Sequence, residues 1–249
     1  MEKIALISDI HSNMTALEAV LAHIRAAGIR RIVCLGDLVG KGPQPSETVE
    51  RIRETCEATI QGNWDHGIVR PQDKGSAQWQ KDRLSPAQLS FLAELPFSYE
   101  LWISGHRLRL VHASADSVYH RITRKADKKE KLGFFENTAA TGPFPGTEAG
   151  PDIVGYGDLH IPFMQTLTAK KQSGLVLFNT GSVGAPYDGL PQASYVTIEG
   201  EIGGRSEAPL GLQWVRVPYD MERAVAIAEE ANLPELERYR YEQRNGREQ

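Results

Sequence analysis

The chain has 249 residues, 41% hydrophobic and 24% charged, with a formal charge of −4 and a pI near 6.0. That length accommodates one large α/β domain or two small ones, with a core sufficient to fold without disulfide staples. The mild acidity argues against broad electrostatic binding to nucleic acid or to an anionic membrane, but not against a small anionic substrate where a bound metal reverses the local charge. Cys34 and Cys56 form no disulfide framework and no Cys-x-x-Cys pair, and read as reduced, partly buried thiols. The Met-Glu-Lys start lacks the features of a signal peptide, and no apolar run is long enough to span a bilayer. A cytoplasmic protein is the expectation.

In chain order, Ile4 to Ser8 reads as a buried strand bounded by Asp9. Thr15, Leu17, Val20, Leu21 and Ile24 recur at helical spacing, and Gly28 stops the helix. Ile32 to Leu35 is a second strand ending in Gly36-Asp37. After a Gly/Pro-rich loop from Gly40 to Pro45, Ser46 is expected to cap a helix running to about Thr55. Ala58 to Gln61 is a third strand, ending in Gly62-Asn63. This β-α-β-α-β order implies parallel strands, whose polar chemistry gathers just past their carboxyl ends.

Ser85-Pro86 opens another helix, which Pro96 closes. Residues 99–103 and 107–113 alternate around Gly105-His106 as a hairpin. Arg121 to Lys131 is basic, Phe134 to Thr141 reads as helical, and Asp116 to Gly150 is expected to form a cap insertion over the site. Strands return at Ile153–Tyr156, Phe163–Leu167, Leu175–Phe178, Ala193–Ile198 and Leu212–Val217, suggesting a second, mainly antiparallel sheet. Met221 to Asn232 is expected to be the terminal helix, and the charged stretch Tyr239 to Gln249 is expected to fray.

The polar residues at predicted strand ends are Asp9, His11, Asp37, Asn63, His112 and His160. Two neighbouring divalent ions require a shared carboxylate and a mixture of nitrogen and oxygen ligands, and this set supplies both. Asp9 and His11 can chelate one ion, Asp37 can bridge, and Asn63 offers a neutral carbonyl oxygen.

The series Ser-Asp9-Ile-His11, Gly-Asp37, Gly-Asn63, His112 and Gly-x-x-His160 resembles the calcineurin-like metallophosphoesterase superfamily over residues 3 to about 198. Gly36-Asp-Leu-Val-Gly-Lys-Gly-Pro-Gln-Pro45, Gly-Asn-Trp64 and Asn179-Thr-Gly-Ser-Val-Gly-Ala-Pro186 are similar to the bacterial branch of asymmetric diadenosine tetraphosphate hydrolases. The tail from Val217 to Tyr241 shares that likeness. The resemblance implies an α/β fold, a four-layer α/β/β/α sandwich of two mixed sheets flanked by helices, in a single domain. It implies two Mn, Fe or Zn ions, and a hydroxide bridging them that attacks phosphorus. It assigns Asp9, His11, Asp37 and His160 to the first ion, and Asp37, Asn63, His112 and the residue at 158 to the second.

Two positions depart from the family pattern. Asp158 stands where a histidine is usual: either a carboxylate ligand favouring a harder ion such as Mn, or a lost ligand. Trp64 stands where much of the family has a histidine thought to protonate the leaving group. Tryptophan cannot do so, which favours good leaving groups, as in phosphoanhydrides or activated diesters, over phosphomonoesters or phosphoproteins. His66 is the remaining candidate acid, and otherwise a surface histidine. Trp64 either stacks on a base or packs in the core. His120, Arg121 and Arg124 either hold distal phosphates or are simply exposed.

The expected function is therefore metal-dependent hydrolysis of a small phosphorylated substrate, a nucleotide such as diadenosine tetraphosphate, with Asp37, Asn63 and His66 as catalytic candidates. The alternative from another class is a phospho-ligand-binding module with a degraded second metal site. A dinucleotide-binding module is disfavoured, because Asp-Ile-His-Ser follows the first strand in place of a Gly-x-Gly-x-x-Gly turn.

Overall fold

In a computed structural model, which describes residues 1–73, 75–170 and 172–249 (the side chains of 172 and 173 excepted), two five-stranded sheets stack face to face. The first has the order β10-β9-β1-β2-β3, from β1 (Glu2–Ile7), β2 (Arg31–Cys34), β3 (Ala58–Thr59), β9 (Ala193–Gly200) and β10 (Gly211–Val217). The second has the order β4-β5-β6-β8-β7, from β4 (Ser98–Ile103), β5 (His106–Val111), β6 (Ile153–Tyr156), β7 (Phe163–Ala169) and β8 (Gln172–Asn179). Both are mixed: β1, β2 and β3 run parallel, as do β5, β6 and β8, while β9, β10, β4 and β7 join antiparallel. The two-sheet α/β architecture is as expected from the sequence, but the second sheet is not mainly antiparallel: β9 and β10 return to pair beside β1 in the first sheet, and β5, β6 and β8 run parallel in the second.

Strand β1 shows why its sequence is apolar throughout. Side chains alternate across a strand, so Ile4 and Leu6 enter the core between the sheets while Ala5 and Ile7 enter the core beneath the helices. Helix α1 (Met14–Ala26) covers that second face with Ala16, Leu17, Val20, Leu21 and Ile24. Helices α2 (Pro45–Thr55) and α5 (Pro86–Glu94) lie in the same layer, and α5 carries a Ser85–Gln88 capping box. Between them fall two short helices, α3 (Asn63–Ile68) and α4 (Ser76–Lys81).

Three local expectations are corrected. The cap of α2 is Gln44, with Pro45 rather than Ser46 opening the helix, because the fixed φ of proline suits the first turn. Phe134 to Thr141 is not helical. Helix α6 (Lys128–Leu132) lies upstream, and only the 3-10 turn Gly133–Phe135 continues it. Thr138 Oγ1 and Thr141 Oγ1 take up the nearby backbone N–H groups, and such side-chain bonding competes with a helix. Phe134 and Phe135 pack with Ile122 on the outer face of the second sheet. Tyr239 to Gln249 does not fray. After α7 (Met221–Glu230), α8 (Leu236–Asn245) docks with Tyr239, Glu242 and Gln243 buried. Gln243 Oε1 accepts from Asn13 Nδ2 at 2.9 Å and its Nε2 donates to the Gly184 carbonyl at 2.9 Å, fastening the tail to the loop after β1. Among the described residues, no helix is long and apolar enough to cross a membrane.

Candidate metal centre

The parallel strands bring their carboxyl ends to one edge of the sandwich. Asp9 follows β1, Asp37 follows β2, Asn63 opens α3 after β3, His112 follows β5, and Asp158 and His160 follow β6. Backbone bonds tie these ends together: Asp9 N–H to the Gly36 carbonyl at 3.0 Å, His11 N–H to that of Asp37 at 3.0 Å, and Gly157 N–H to that of His112 at 2.9 Å. A Cβ added to Gly62 would lie 2.2 Å from the Asp37 backbone nitrogen, so only glycine lets the β2 and β3 ends approach this closely.

Five side chains at the site hang from left-handed backbone: Asp9 (φ 55°), His11 (48°), Asp37 (55°), Asp158 (60°) and His160 (59°). Each such non-glycine residue costs roughly 1–2 kcal/mol. Strain of this kind persists only where surrounding structure enforces it, and it gathers at functional sites. Asp65 does part of that enforcing. Its buried carboxylate accepts the backbone N–H groups of Asp37 (2.8 Å), Leu38 (2.9 Å) and Gly62 (3.0 Å).

Six of the seven residues expected to bind metal converge. His11 Nε2 lies 3.1 Å from His160 Nε2 and 3.5 Å from Asp37 Oδ2. His160 Nε2 is 3.2 Å from Asp9 Oδ1. His112 Nε2 is 3.0 Å from Asn63 Oδ1 and 3.5 Å from Asp37 Oδ1. Asp9, His11 and His160 make one group with metal-ligand spacing; Asp9, Asp37 and His112 make a second.

The donor chemistry fits divalent cations. Each imidazole Nδ1 faces a backbone carbonyl: Val39 for His11 (3.0 Å), Leu35 for His112 (2.8 Å) and Ala185 for His160 (2.6 Å). A carbonyl only accepts, so each Nδ1 carries a proton and each Nε2 points inward, where as a neutral imidazole it offers its lone pair, the arrangement typical of metal-bound histidine. The lone pairs of His11 and His160 thus face each other, and Asp9 Oδ1 is buried with no hydrogen-bond partner among the described residues. Buried acceptors opposed in this way are costly unless a cation sits among them.

The electrostatics agree. Burial opposes charge on His112, yet Asp37 and Asp9 outweigh it and raise the imidazole to about 9. Asp9 falls below the ordinary carboxylate range, because the surrounding imidazoles, His160 foremost, overcome its burial. Burial drives Asp37 upward, with Asp9 and Asp65 adding to that rise against the pull of His112. Burial and the neighbouring His160 drive His11 downward. The cluster is built to attract positive charge.

Asp158 joins neither group. Its buried carboxylate faces Arg121, whose Nε donates to Oδ2 at 3.0 Å and Nη2 to Oδ1 at 3.2 Å. His66 also lies apart. Its Nδ1 faces the Tyr119 hydroxyl at 2.9 Å, and Arg70 lies against both ring nitrogens. His120 sits between Asp116 and Glu130 over a different hollow, and Arg124 is exposed on the surface. Of the segment expected to form a cap, only Arg121 lines the cavity over the metal-binding candidates.

That cavity, about 280 Å³, opens directly onto His11, Asp37, Asn63 and His160. Trp64 lines it half-buried, edge-on to His11 with ring centroids 6.1 Å apart. The opposite wall was missed from sequence: Lys41, Tyr187 and, from the tail, Arg238, Tyr239 and Glu242. Tyr187 stacks on His160 at 4.5 Å, and its hydroxyl donates to Glu242 Oε2 at 2.8 Å. The one signal in the sequence was spacing: Tyr239 and Gln243 stand four apart, on one helical face.

Residues 2–201 match the family model of the calcineurin-like phosphoesterase superfamily domain. An uncharacterised protein of Methanocaldococcus jannaschii is 32% identical over 256 residues, covering 93% of this chain and 94% of that protein. Phosphodiesterase YfcE of Escherichia coli K12 is 26% identical over 210 residues, covering 81% and 90%. The crystal structure of a metallophosphoesterase from Sphaerobacter thermophilus superposes with a TM-score of 0.75 at 26% identity, covering 98% of this chain and 99% of that one.

Proposed function

The chain belongs to the calcineurin-like phosphoesterase superfamily and is a phosphate ester hydrolase, and on that premise we propose that it cleaves phosphodiester or phosphoanhydride bonds with good leaving groups, in a nucleotide such as diadenosine tetraphosphate. The observation that carries the reading is the convergence of three inward imidazole Nε2 atoms on Asp9 and Asp37 at the floor of a cavity lined by Trp64.

Asp9, His11, Asp37 and His160 would hold one divalent ion, and Asp37, Asn63 and His112 a second, with Mn favoured by the oxygen share of the set. Such ions supply an activated water and neutralise charge on the phosphoryl oxygens. The protein's own groups do the rest. Val39, Leu35 and Ala185 carbonyls fix the three imidazole tautomers. The Trp64 backbone N–H holds Asp37 Oδ1 at 2.8 Å. The Trp64 indole N–H is far too weakly acidic to protonate a leaving group, and His66 is turned to Tyr119 and Arg70. The leaving group must therefore depart as a stable anion, which a nucleotide phosphate or a nitrophenolate does and a serine alkoxide does not.

Turnover of bis(p-nitrophenyl) phosphate, p-nitrophenyl phosphate and diadenosine tetraphosphate, each assayed with Mn, Fe(II) and Zn, tests the proposal. Diester and anhydride turnover well above that of the monoester is the expected result. A preference for phosphomonoesters or phosphopeptides would overturn it.

A further inference from the structure

Among the described residues, the cavity wall facing the metal centre carries three cations, and two of them are already engaged. Arg121 is paired with Asp158 through two hydrogen bonds. Arg238 donates from Nε to Glu242 Oε1 at 2.9 Å, and its guanidinium is flanked by the exposed Glu235 and Glu248. Lys41 differs. Its side chain is only 16% exposed, yet its one carboxylate neighbour within 4.0 Å among the described residues is Glu242 Oε2, at 4.0 Å. That is too long for a hydrogen bond. Glu242 is in any case satisfied by Arg238 and the Tyr187 hydroxyl.

Lys41 is held in place despite this. Its backbone is left-handed (φ 56°), in the loop between Gly40 and Gly42 that packs under Trp64 and against the His11 carbonyl. The ammonium lies 5.3 Å over the Tyr187 ring, which stacks on His160. An ammonium has three donors, and this one faces the cavity with no protein acceptor in hydrogen-bond reach among the described residues, so its donors are free for a ligand that enters there. The ligand that satisfies it must be anionic and must reach Lys41 from the cavity beside the metal-binding groups.

We infer that Lys41 determines specificity by binding a second phosphoryl group, so that the preferred substrate carries at least two linked phosphates, one over the metal-binding residues and the next on Lys41. This rests on the phosphoesterase reading and narrows it to phosphate chains over simple diesters. Lysine serves such a role as a point charge.

Calorimetric binding of adenosine monophosphate and of α,β-methylene adenosine diphosphate to the Mn-loaded protein tests the inference, because the pair differs by one phosphoryl group. Wild type is expected to bind the diphosphate analogue at least tenfold more tightly. Lys41→Met is expected to cut that preference below threefold, and Lys41→Arg to keep most of it, with thermal unfolding confirming that both variants are folded. No preference in wild type, or one that survives Lys41→Met, overturns the inference. Bis(p-nitrophenyl) phosphate turnover by wild type, measured in parallel, separates this failure from failure of the phosphoesterase reading, which alone would abolish it.

Discussion

The carboxylate of Asp158 and the guanidinium of Arg121 form a two-point hydrogen-bonded pair, with Nε to Oδ2 at 3.0 Å and Nη2 to Oδ1 at 3.2 Å, at the position where the family usually places a metal-binding histidine. A carboxylate held this way is committed to a fixed positive charge in the protein. Asp158→Asn is therefore expected to leave the number of Mn ions per chain unchanged by elemental analysis. Loss of one ion would instead make Asp158 a ligand. Arg121→Ala, which strands the buried carboxylate, should lower stability by about 1–3 kcal/mol, read from denaturant unfolding, and added Mn should restore part of that loss.

Asp65 offers a test of how the centre is held. Its carboxylate serves the N–H groups of Asp37, Leu38 and Gly62. Asparagine keeps one oxygen and turns an NH₂ toward a donor. Asp65→Asn is expected to cost about 2–3 kcal/mol and to weaken Mn binding tenfold or more, since it loosens Asp37. Unchanged metal affinity in a folded variant would show that the loop is held by other means.

Gly62→Ala probes the same seam sterically. The new methyl would sit 2.2 Å from both Asp37 N and Asp37 Oδ1, so the β2 and β3 ends must part. Overpacking of this kind costs about 1–3 kcal/mol. Activity is expected to fall more than a hundredfold while the far-ultraviolet circular dichroism spectrum stays that of wild type. Wild-type turnover would refute the close-approach argument.

The two cysteines should be inert in the folded protein. Burial pushes the Cys34 thiol well above its usual range, and burial also pushes Cys56 up to about 12. Ellman's reagent needs thiolate, so at pH 8 the native protein should react negligibly over minutes and the denatured protein with two equivalents. For Cys56 the folded value exceeds the unfolded value of 9.0. Its contribution to stability is therefore complete below pH 9 and declines as pH rises from 9 toward 12. Rapid labelling at pH 8 under native conditions would contradict this.

Asp9, His11, Asp37, Asn63, His112 and His160 were legible in the sequence for one physical reason. Each follows a predicted strand, most with a clear apolar run, and parallel strands deliver their ends to a common edge. The opposite wall had no such guide. Lys41 and Tyr187 lie in loops whose placement depends on tertiary packing, and the buried face of α8 is itself polar, built from Tyr239, Glu242 and Gln243. Burial satisfied by long-range hydrogen bonds leaves no hydrophobic periodicity to read. His66 was left open between a candidate acid and a surface histidine because adjacency to Trp64 in sequence says little once α3 begins at Asn63 and turns the imidazole toward Arg70 and Tyr119.

The order of these parts along the chain has a temporal meaning. Every metal-binding candidate has been added to the chain by residue 160, but β9, which pairs directly with β1, comes at Ala193–Gly200, and α8 comes later still. Domains assemble as their segments emerge. A nascent chain therefore carries all the donors for the ions before it has the central strand pairing or the far wall. Only the docking of Gln243 onto Asn13 and Gly184 encloses the cavity. The donors are thus made first, and the helix that completes the far wall of the cavity is made after them.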